Sequence, residues 1–448
     1  MNKKELIKHI EENPNFKFNR VTLFDLKIMK NIFTCKYMLQ YNNDSIIIPI
    51  YINFPKYCNL ENSKISLKLL AMSVHVQLLN IGLFTKNECL TNWESLSKGH
   101  LFKLNSLDHS FLLDLDFQMR TTFTNKFKEF KDINLEGYEK FPLLDPIKYK
   151  LNKEDKYAIS MSGGKESTMT FTTLQKLNYR TYPLFIDDNR FDPSEMMYKA
   201  IPWSDKIQTN IFEIFDFIAP KWGKNNLYLP ILAFIELAYC NINGIRNLVF
   251  GNEFDCTVPF EFKGHEILGH NFDQSTHFER KISHYLKEIG TNMQVFSLVY
   301  NLSESAIQKI FIRNDIFNLY QYQMSCFTPK KSKNGMWLPC DECDKCQRIA
   351  FMLEGLKEDP ERIGLSSHRE ILNTDDLDAI FNSEDGKKEA ETLAYVYSNK
   401  YQTLGRIDPV WHQEIFDIQI DDDHVIILPD DIFEFFENEL YAIRKELK

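Results

Sequence analysis

The chain contains no stretch of 18 apolar residues. The nearest candidate, Leu227 to Ile245, is broken by Pro230, Glu236, Asn241 and Asn243, so no membrane-spanning helix is expected. The opening residues, Met1-Asn2-Lys3-Lys4-Glu5-Leu6, lead into a charged amphipathic run without the apolar core of a signal peptide. An excess of positive charge is also missing: 53 Lys+Arg against 63 Asp+Glu leave a net charge of −10. A protein that mainly grips nucleic acid needs a basic footprint, so nucleic acid is not expected as a partner, and neither is a membrane. A cytoplasmic protein is expected. Cysteine is sparse, nine in 448 residues, and in that compartment it does not form a disulfide framework. Internal repeats and low-complexity segments are absent.

What is present is ordinary globular material, 44% hydrophobic and 26% charged, long enough for two or three domains. Three regions are expected. Residues 1–150 form an α+β extension in which Ile32 to Tyr41 and Ser45 to Ile52 alternate in polarity around Asn42-Asn43-Asp44, a β-hairpin pattern. Leu67 to Leu79 follows as a helix, and Phe141-Pro142-Leu143-Leu144-Asp145-Pro146 as a connector. Residues 151–360 alternate strands (Tyr157 to Met161, Thr181 to Ile186, Asn247 to Phe250, Gln294 to Val299) with helical runs such as Leu227 to Asn241. That is the pattern of an α/β fold, a parallel sheet with helices on both faces. Residues 361–448 are a small α+β region, with a hairpin expected from Phe416 to Ile420 and His424 to Leu428. A last helix is expected from Asp430, with Phe433, Phe436, Leu440 and Ile443 on its apolar face.

In a parallel sheet, ligands bind beyond the carboxyl ends of the strands. The polar stretches there are Ser162 to Ser167, Asp187-Asp188-Asn189 and Asn252 to Asp255. The first, Ser162-Gly163-Gly164-Lys165-Glu166-Ser167, is a glycine turn between a strand and a helix. Glycines let backbone approach an anion, and the first N–H groups of a helix lack internal partners, which makes a phosphate cradle. A Walker loop is excluded: it needs glycine at position 159, which is Ile159, and Ser or Thr at 166, which is Glu166. A turn without a ligand remains the alternative at this point.

The second signal is Cys340-Asp341-Glu342-Cys343-Asp344-Lys345-Cys346, with Cys326 upstream. Four thiolates close a tetrahedral, structural Zn²⁺ site. A ferredoxin-type cluster would need a further cysteine just downstream, and Gln347 to Ala350 contains none. Cys35, Cys58, Cys89, Cys240 and Cys256 are scattered thiols. His265, His270, His277 and His284 have no metal-binding spacing, and the face shared by His277 and His284 is expected at the surface.

Ser162, Gly163, Gly164 and Ser167 match Ser-Gly-Gly-x-Asp-Ser, the pyrophosphate-binding loop of the PP-loop ATP pyrophosphatases, with Glu166 in place of the aspartate. The chain resembles that superfamily. The resemblance implies a Rossmann-like, HUP-type core and cleavage of ATP between the α and β phosphates. Ser162, Gly163, Gly164, Lys165, Glu166 and Ser167 would hold the nucleotide, Ser162, Glu166 and Ser167 would take part in the chemistry, and Glu166 would organise the loop or a Mg²⁺. Asp187 would lie near the adenine or ribose.

Together with the four cysteines, the loop resembles the QueC family, the 7-cyano-7-deazaguanine synthases, over about residues 155–360. Gly251-Asn252-Glu253-Phe254-Asp255 and Pro259-Phe260-Glu261-Phe262 are similar to family segments, one a residue shorter and the other without its arginine. Asn225-Asn226 before the apolar helix resembles a third, with Lys224 and Asn225 in place of Gly-Arg. The resemblance implies ATP-dependent adenylation of 7-carboxy-7-deazaguanine, with Asn252, Asp255 and Glu261 toward the substrate. A carboxylate such as Glu261 can accept both neighbouring N–H donors of a guanine-like edge; a solvated loop carboxylate is the plain alternative. The long flanks resemble the extended QueC-like proteins of antiphage systems, the Qat and type IV CBASS types. Transfer of the acyl group to an amine on an acceptor protein is therefore expected. Free nitrile synthesis with ammonia and a degenerate nucleotide-binding scaffold are the alternatives. A tRNA-thiolating enzyme is disfavoured by the acidic balance.

Overall fold

The computed structural model describes residues 5–6, 8, 12, 18–82, 104–126, 151–188, 194–214, 228–253, 259–262, 265–268, 272–326, 328–332, 337–366, 384–398, 410–418 and 428–448. The chain opens with an antiparallel meander, β1 (Arg20–Met29), β2 (Ile32–Tyr41) and β3 (Asp44–Asn53). The hairpin between β2 and β3 pairs Tyr41 with Asp44, leaving Asn42-Asn43 as a two-residue turn with Asn42 at φ 50°. Asparagine tolerates that left-handed backbone better than most residues. In β2, Phe33, Cys35, Tyr37 and Leu39 alternate inward, as a half-buried strand requires.

Helices α1 (Lys64–Gly82) and α2 (Ser106–Lys126) follow. The βα alternation then begins: β4 (Lys156–Met161), α3 (Lys165–Lys176), β5 (Arg180–Asp187), α4 (Glu195–Ala200), β6 (Asp205–Thr209), α5 (Tyr228–Ile242) and β7 (Asn247–Phe250). A small ribbon, β8 (Pro259–Phe262) with β9 (His265–Leu268), precedes α6 (Thr276–Glu288), β10 (Gln294–Ser297) and α7 (Glu304–Arg313). Beyond these lie β11 (Lys330–Lys331), β12 (Trp337–Leu338), α8 (Asp344–Gly355), α9 (Glu384–Ser398) and α10 (Asp430–Leu447).

The fold is α/β, built on one mostly parallel eight-stranded sheet ordered β1-β2-β3-β6-β5-β4-β7-β10. Strands β6, β5, β4, β7 and β10 are mutually parallel, and β3 joins β6 antiparallel through Ile52↔Thr209 and Asn53↔Gln208. Strands from both sides of residue 150 therefore share one sheet. Period-two alternation along the parallel strands sorts their side chains into two cores. Ala158, Leu184, Ile207, Leu248 and Val295 face the core formed with α1, α2, α5 and α6. Tyr157, Ile159, Met161, Phe185, Val249 and Phe296 face the core formed with α3, α7, α8, α9 and α10. Strands covered on both faces read as continuous apolar runs, which is why β7, Asn247-Leu248-Val249-Phe250, is wholly buried.

The C-terminal region departs from expectation at Phe416. Gln413–Phe416 is a 3₁₀ turn, not the start of a strand. Phe416 is buried, stacks on Trp411 at 5.8 Å and has its carbonyl held by Arg444 at 2.7 Å, so the chain turns inward to seat the ring. The rest of the expected hairpin, residues 419–427, lies outside the described residues, as does the connector 141–146. Helix α10 does begin at Asp430, and Phe436, Leu440 and Ile443 are buried with Phe433 packed beside them. His277 is also not at the surface: it is buried, its ring 5.8 Å from Phe272.

Candidate nucleotide site and cysteine centre

Among the parallel strands the order β6-β5-β4-β7-β10 places the first strand of the series in the middle, and the chain reverses its winding between β4 and β7. Such a switch point opens a crevice at the carboxyl ends of the two strands. The glycine turn leaves β4 into this crevice, and Gly251-Asn252-Glu253 leaves β7 beside it.

Gly163 adopts φ +78°, the left-handed region, and a Cβ there would lie 3.2 Å from Ser194 Cα. Gly164 stands at the N-cap of α3, and among the described residues no side chain caps that helix. The hydroxyl of Ser162 accepts from the Gly164 N–H at 3.2 Å and lies 3.2 Å from Ser167 Oγ, while Thr168 Oγ1 donates to the Gly164 carbonyl at 2.7 Å. Across the crevice, a Cβ on Gly251 would meet Ser167 N at 2.7 Å and the Glu166 carbonyl carbon at 2.8 Å. These are backbone atoms that cannot swing aside. Gly251→Ala is thus expected to push β7 and the turn apart and to destabilise the fold by about 1–3 kcal/mol, measurable by urea unfolding against the wild type.

Lys165, the first residue of α3, is completely buried, and its Nζ is bonded to three carboxylates: Glu166, Glu304 at 2.7 Å and Glu253 at 3.5 Å. Arg348 from α8 closes the group, its Nη2 lying 3.1 Å from both oxygens of Glu304. Burial alone would push the Lys165 ammonium down, but the three carboxylates hold it well above the usual lysine range. Burial likewise works to raise Glu304, and the Arg348 and Lys165 cations overcome it and keep its carboxyl well below the usual range. One oxygen each of Glu166, Glu253 and Glu304 lies within 4.8 Å of the others. A hard divalent cation takes oxygen ligands of this kind, so these three residues have the donor chemistry for Mg²⁺, with Lys165 as the cation now among them.

Behind the turn, Glu236 of α5 accepts from Ser160 Oγ at 2.8 Å on one oxygen, and its other oxygen is buried with no hydrogen-bond partner among the described residues. Burial pushes this carboxyl up to about 8 from the ordinary 4.5. The folded state holds the proton more tightly than the unfolded chain, so this group lowers stability as pH rises from about 4.5 to about 8 and adds nothing further above. Glu236→Gln, whose amide leaves an unpaired N–H at either pH, is expected to lower stability by about 2 kcal/mol near pH 4 and to raise it by about 2 kcal/mol at pH 8, where the carboxylate it replaces is the costlier group. Urea titrations at the two pH values measure the difference.

The remaining residues named from sequence fall as follows. Asp187 ends β5 and pairs with Lys206 at 3.5 Å, on the β6 side of the turn. Asn252 is buried, its amide donating to Glu279 at 2.7 Å and its backbone exchanging bonds with Ser297 Oγ at 3.0 and 2.8 Å, so it shapes the turn after β7. Glu261 lies in β8, in register with Glu266 of β9. Asp255 is outside the described residues, as are residues 215–227. Glu304 and Arg348 were not singled out in the sequence. Glu304 follows the carboxyl end of β10, so the strand-end rule would have reached it had it been applied to the last strand as well.

The four cysteines converge. Cys326 Sγ lies 3.9 Å from Cys343 Sγ, and Cys340 Sγ lies 3.8 Å from Cys346 Sγ. Zn–S bonds of about 2.3 Å at tetrahedral angles put sulfurs about 3.8 Å apart, so the set could hold a metal such as zinc. Backbone N–H groups of Thr328 and Cys340 point at Cys326 Sγ (3.3 and 3.2 Å), and those of Glu342 and Cys343 at Cys340 Sγ (3.5 and 3.2 Å). Burial works against a Cys340 thiolate, but donors from Thr328, Glu342 and Cys343 bring the thiol down to about 6. Cys35, Cys58 and Cys240 are buried free thiols elsewhere. No described helix is long and apolar enough to cross a membrane. No protein-family model matches the chain, and no curated protein matches it.

Proposed function

We propose that this protein is a QueC-like, AMP-forming ligase that adenylates a 7-deazaguanine carboxylate and passes the acyl group to an amine, on an acceptor protein in antiphage defence. The observation that carries the proposal is the meeting, at one switch point, of an uncapped Ser-Gly-Gly turn, three carboxylates around a buried lysine, and a four-cysteine centre on the neighbouring segment.

In this reading the backbone N–H groups at the start of α3 and the hydroxyls of Ser162 and Ser167 bind the β and γ phosphates of ATP. Glu166, Glu253 and Glu304 would hold Mg²⁺, which when bound offsets phosphate charge. An oxygen of the substrate carboxylate attacks the α phosphorus, the bond to the bridging oxygen breaks, and pyrophosphate leaves. The acyl-adenylate then loses AMP to the attacking amine, which gives up its proton and becomes an amide. Lys165 keeps the three carboxylates together beside the phosphates. Asp187 faces the nucleoside end, and Asp255 and Glu261 serve the deazaguanine. Asn252, held by Glu279 and Ser297, supports the turn that would place the substrate.

Purified protein given ATP, Mg²⁺ and 7-carboxy-7-deazaguanine is expected to release AMP and pyrophosphate, and an acceptor protein should gain the acyl mass. Absence of AMP release would sink the proposal. Added ammonia giving a nitrile, with no acceptor modified, would point to free nitrile synthesis instead. One observation favours a nucleotide-binding scaffold as the second reading: the Lys165 ammonium already sits among the three carboxylates that would hold Mg²⁺. ATP binding without turnover, with turnover restored by Glu166→Asp, would support that reading.

A further inference from the structure

Two separate routes run from the four cysteines to the glycine turn. The first is through backbone. Cys326 is preceded by Met324-Ser325, and the Met324 N–H donates to the Gly163 carbonyl at 2.9 Å. Ser325 Oγ lies 3.7 Å from where a Cβ on Gly164 would stand. The Gly163 carbonyl and the Gly164 N–H belong to one planar trans peptide and point in opposite directions. Holding the carbonyl from the Met324 side therefore aims the Gly164 N–H into the turn, where it meets Ser162 Oγ at 3.2 Å. At a glycine with φ +78° no side chain restricts the plane, so this bond carries much of the restraint.

The second route is through charge. Cys343 is the N-cap of α8, and Cys346 lies in its first turn. Arg348, two residues on, reaches both oxygens of Glu304 at 3.1 Å, and Glu304 in turn holds Lys165 at 2.7 Å. The start of α8 thus sets where Arg348 stands, and Arg348 sets where Glu304 stands. The Sγ pairs Cys326–Cys343 and Cys340–Cys346 tie the Met324 segment to α8.

We infer that the cysteine centre is a positioning device for the glycine turn: with its metal in place, Met324 orients the Gly163–Gly164 peptide and Arg348 fixes Glu304 against Lys165. Neither residue touches the reacting atoms; both act through others. The dependence of ATP affinity on the metal rests on the reading of the turn as a nucleotide site, whereas the order of the turn does not.

The test uses the full chain loaded with one Zn²⁺, then stripped with dipicolinate and reloaded. Hydrogen exchange is followed on peptides covering 162–168 and 322–328, and MgATP affinity by calorimetry. Stripping is expected to speed exchange at 162–168 and to weaken ATP about 10-fold or more, a coupling of ordinary allosteric size, both reversed by Zn²⁺. Faster exchange confined to 326–346, with 162–168 unchanged, overturns the inference. If stripping unfolds the chain, Zn²⁺-loaded variants decide. Arg348→Met is expected to weaken ATP about 10-fold with metal content kept, and Arg348→Lys to restore most of it. In a Glu304→Gln background Arg348→Met should add nothing; additive losses overturn the claim. If the loaded protein binds no ATP while stripping still frees 162–168, the positioning role stands and the adenylation reading falls.

Discussion

Lys165→Met is expected to cost about 3–5 kcal/mol of stability, the loss seen when one partner of a buried ionic group is removed. Lys165 is fully buried among Glu166, Glu253 and Glu304. Without it, carboxylates with oxygens within 4.8 Å of one another repel across a poorly solvated space. The pH dependence of the Glu166 contribution should also invert. In the wild type the Glu166 and Glu304 carboxyls are held down, so their contribution is present above their unfolded value of 4.5 and is lost as pH falls through their folded values. In the variant Glu304 keeps Arg348, but Glu166 loses the cation that chiefly holds it down and keeps its proton more tightly when folded, so its contribution to stability falls as pH rises above 4.5. Urea midpoints at pH 5 and pH 8 separate the two behaviours. Millimolar Mg²⁺ should return part of the loss to the variant, whose carboxylates have lost the charge of the lysine. An unchanged midpoint at both pH values would mean that the lysine is not the keystone of this cluster.

Cys340→Ser should have the second large effect. A serine hydroxyl at neutral pH is a poor ligand where a thiolate is needed, and Cys340 also receives the Glu342 and Cys343 N–H groups. Loss of an outer-sphere partner commonly costs 10–100-fold in metal affinity, and loss of a ligand should exceed about 100-fold. Zinc content is expected to fall from one per chain to near zero under a chelator challenge, with Tm lowered by several degrees. Cys58→Ser serves as the control: Cys58 is buried and free, outside the cluster, and its loss should leave metal content untouched.

How far the fold was legible depended on how local the signal was. Strands β4 and β7 stood out because burial on both faces makes them continuous apolar runs. The β2–β3 hairpin announced itself through strict alternation around two asparagines. Strand β6 did not, because Asp205–Thr209 carries only Ile207 as an apolar side chain and is ordered by its neighbours on either side. Strand β1 is interrupted by an irregularity between Phe24 and Lys27, with Asp25 at φ 57°, which breaks its periodicity. The same distinction holds at the site. The glycine turn and the cysteine spacing are short-range patterns. The pairing of Lys165 with Glu304 spans 139 positions, and Arg348 joins it from a third element. Nothing local in the sequence marks which of 63 acidic residues will face that lysine.

The antiparallel seam between β3 and β6 has a consequence for how this protein can be dissected. A fragment starting at residue 151 would retain the glycine turn and the cysteines, but it would bare the backbone edge of β6 and the apolar residues that α1 buries. Unprotected edges template pairing with other chains. Such a fragment is therefore headed for aggregation, and the leading third of the polypeptide acts as a built-in chaperone for the sheet it completes.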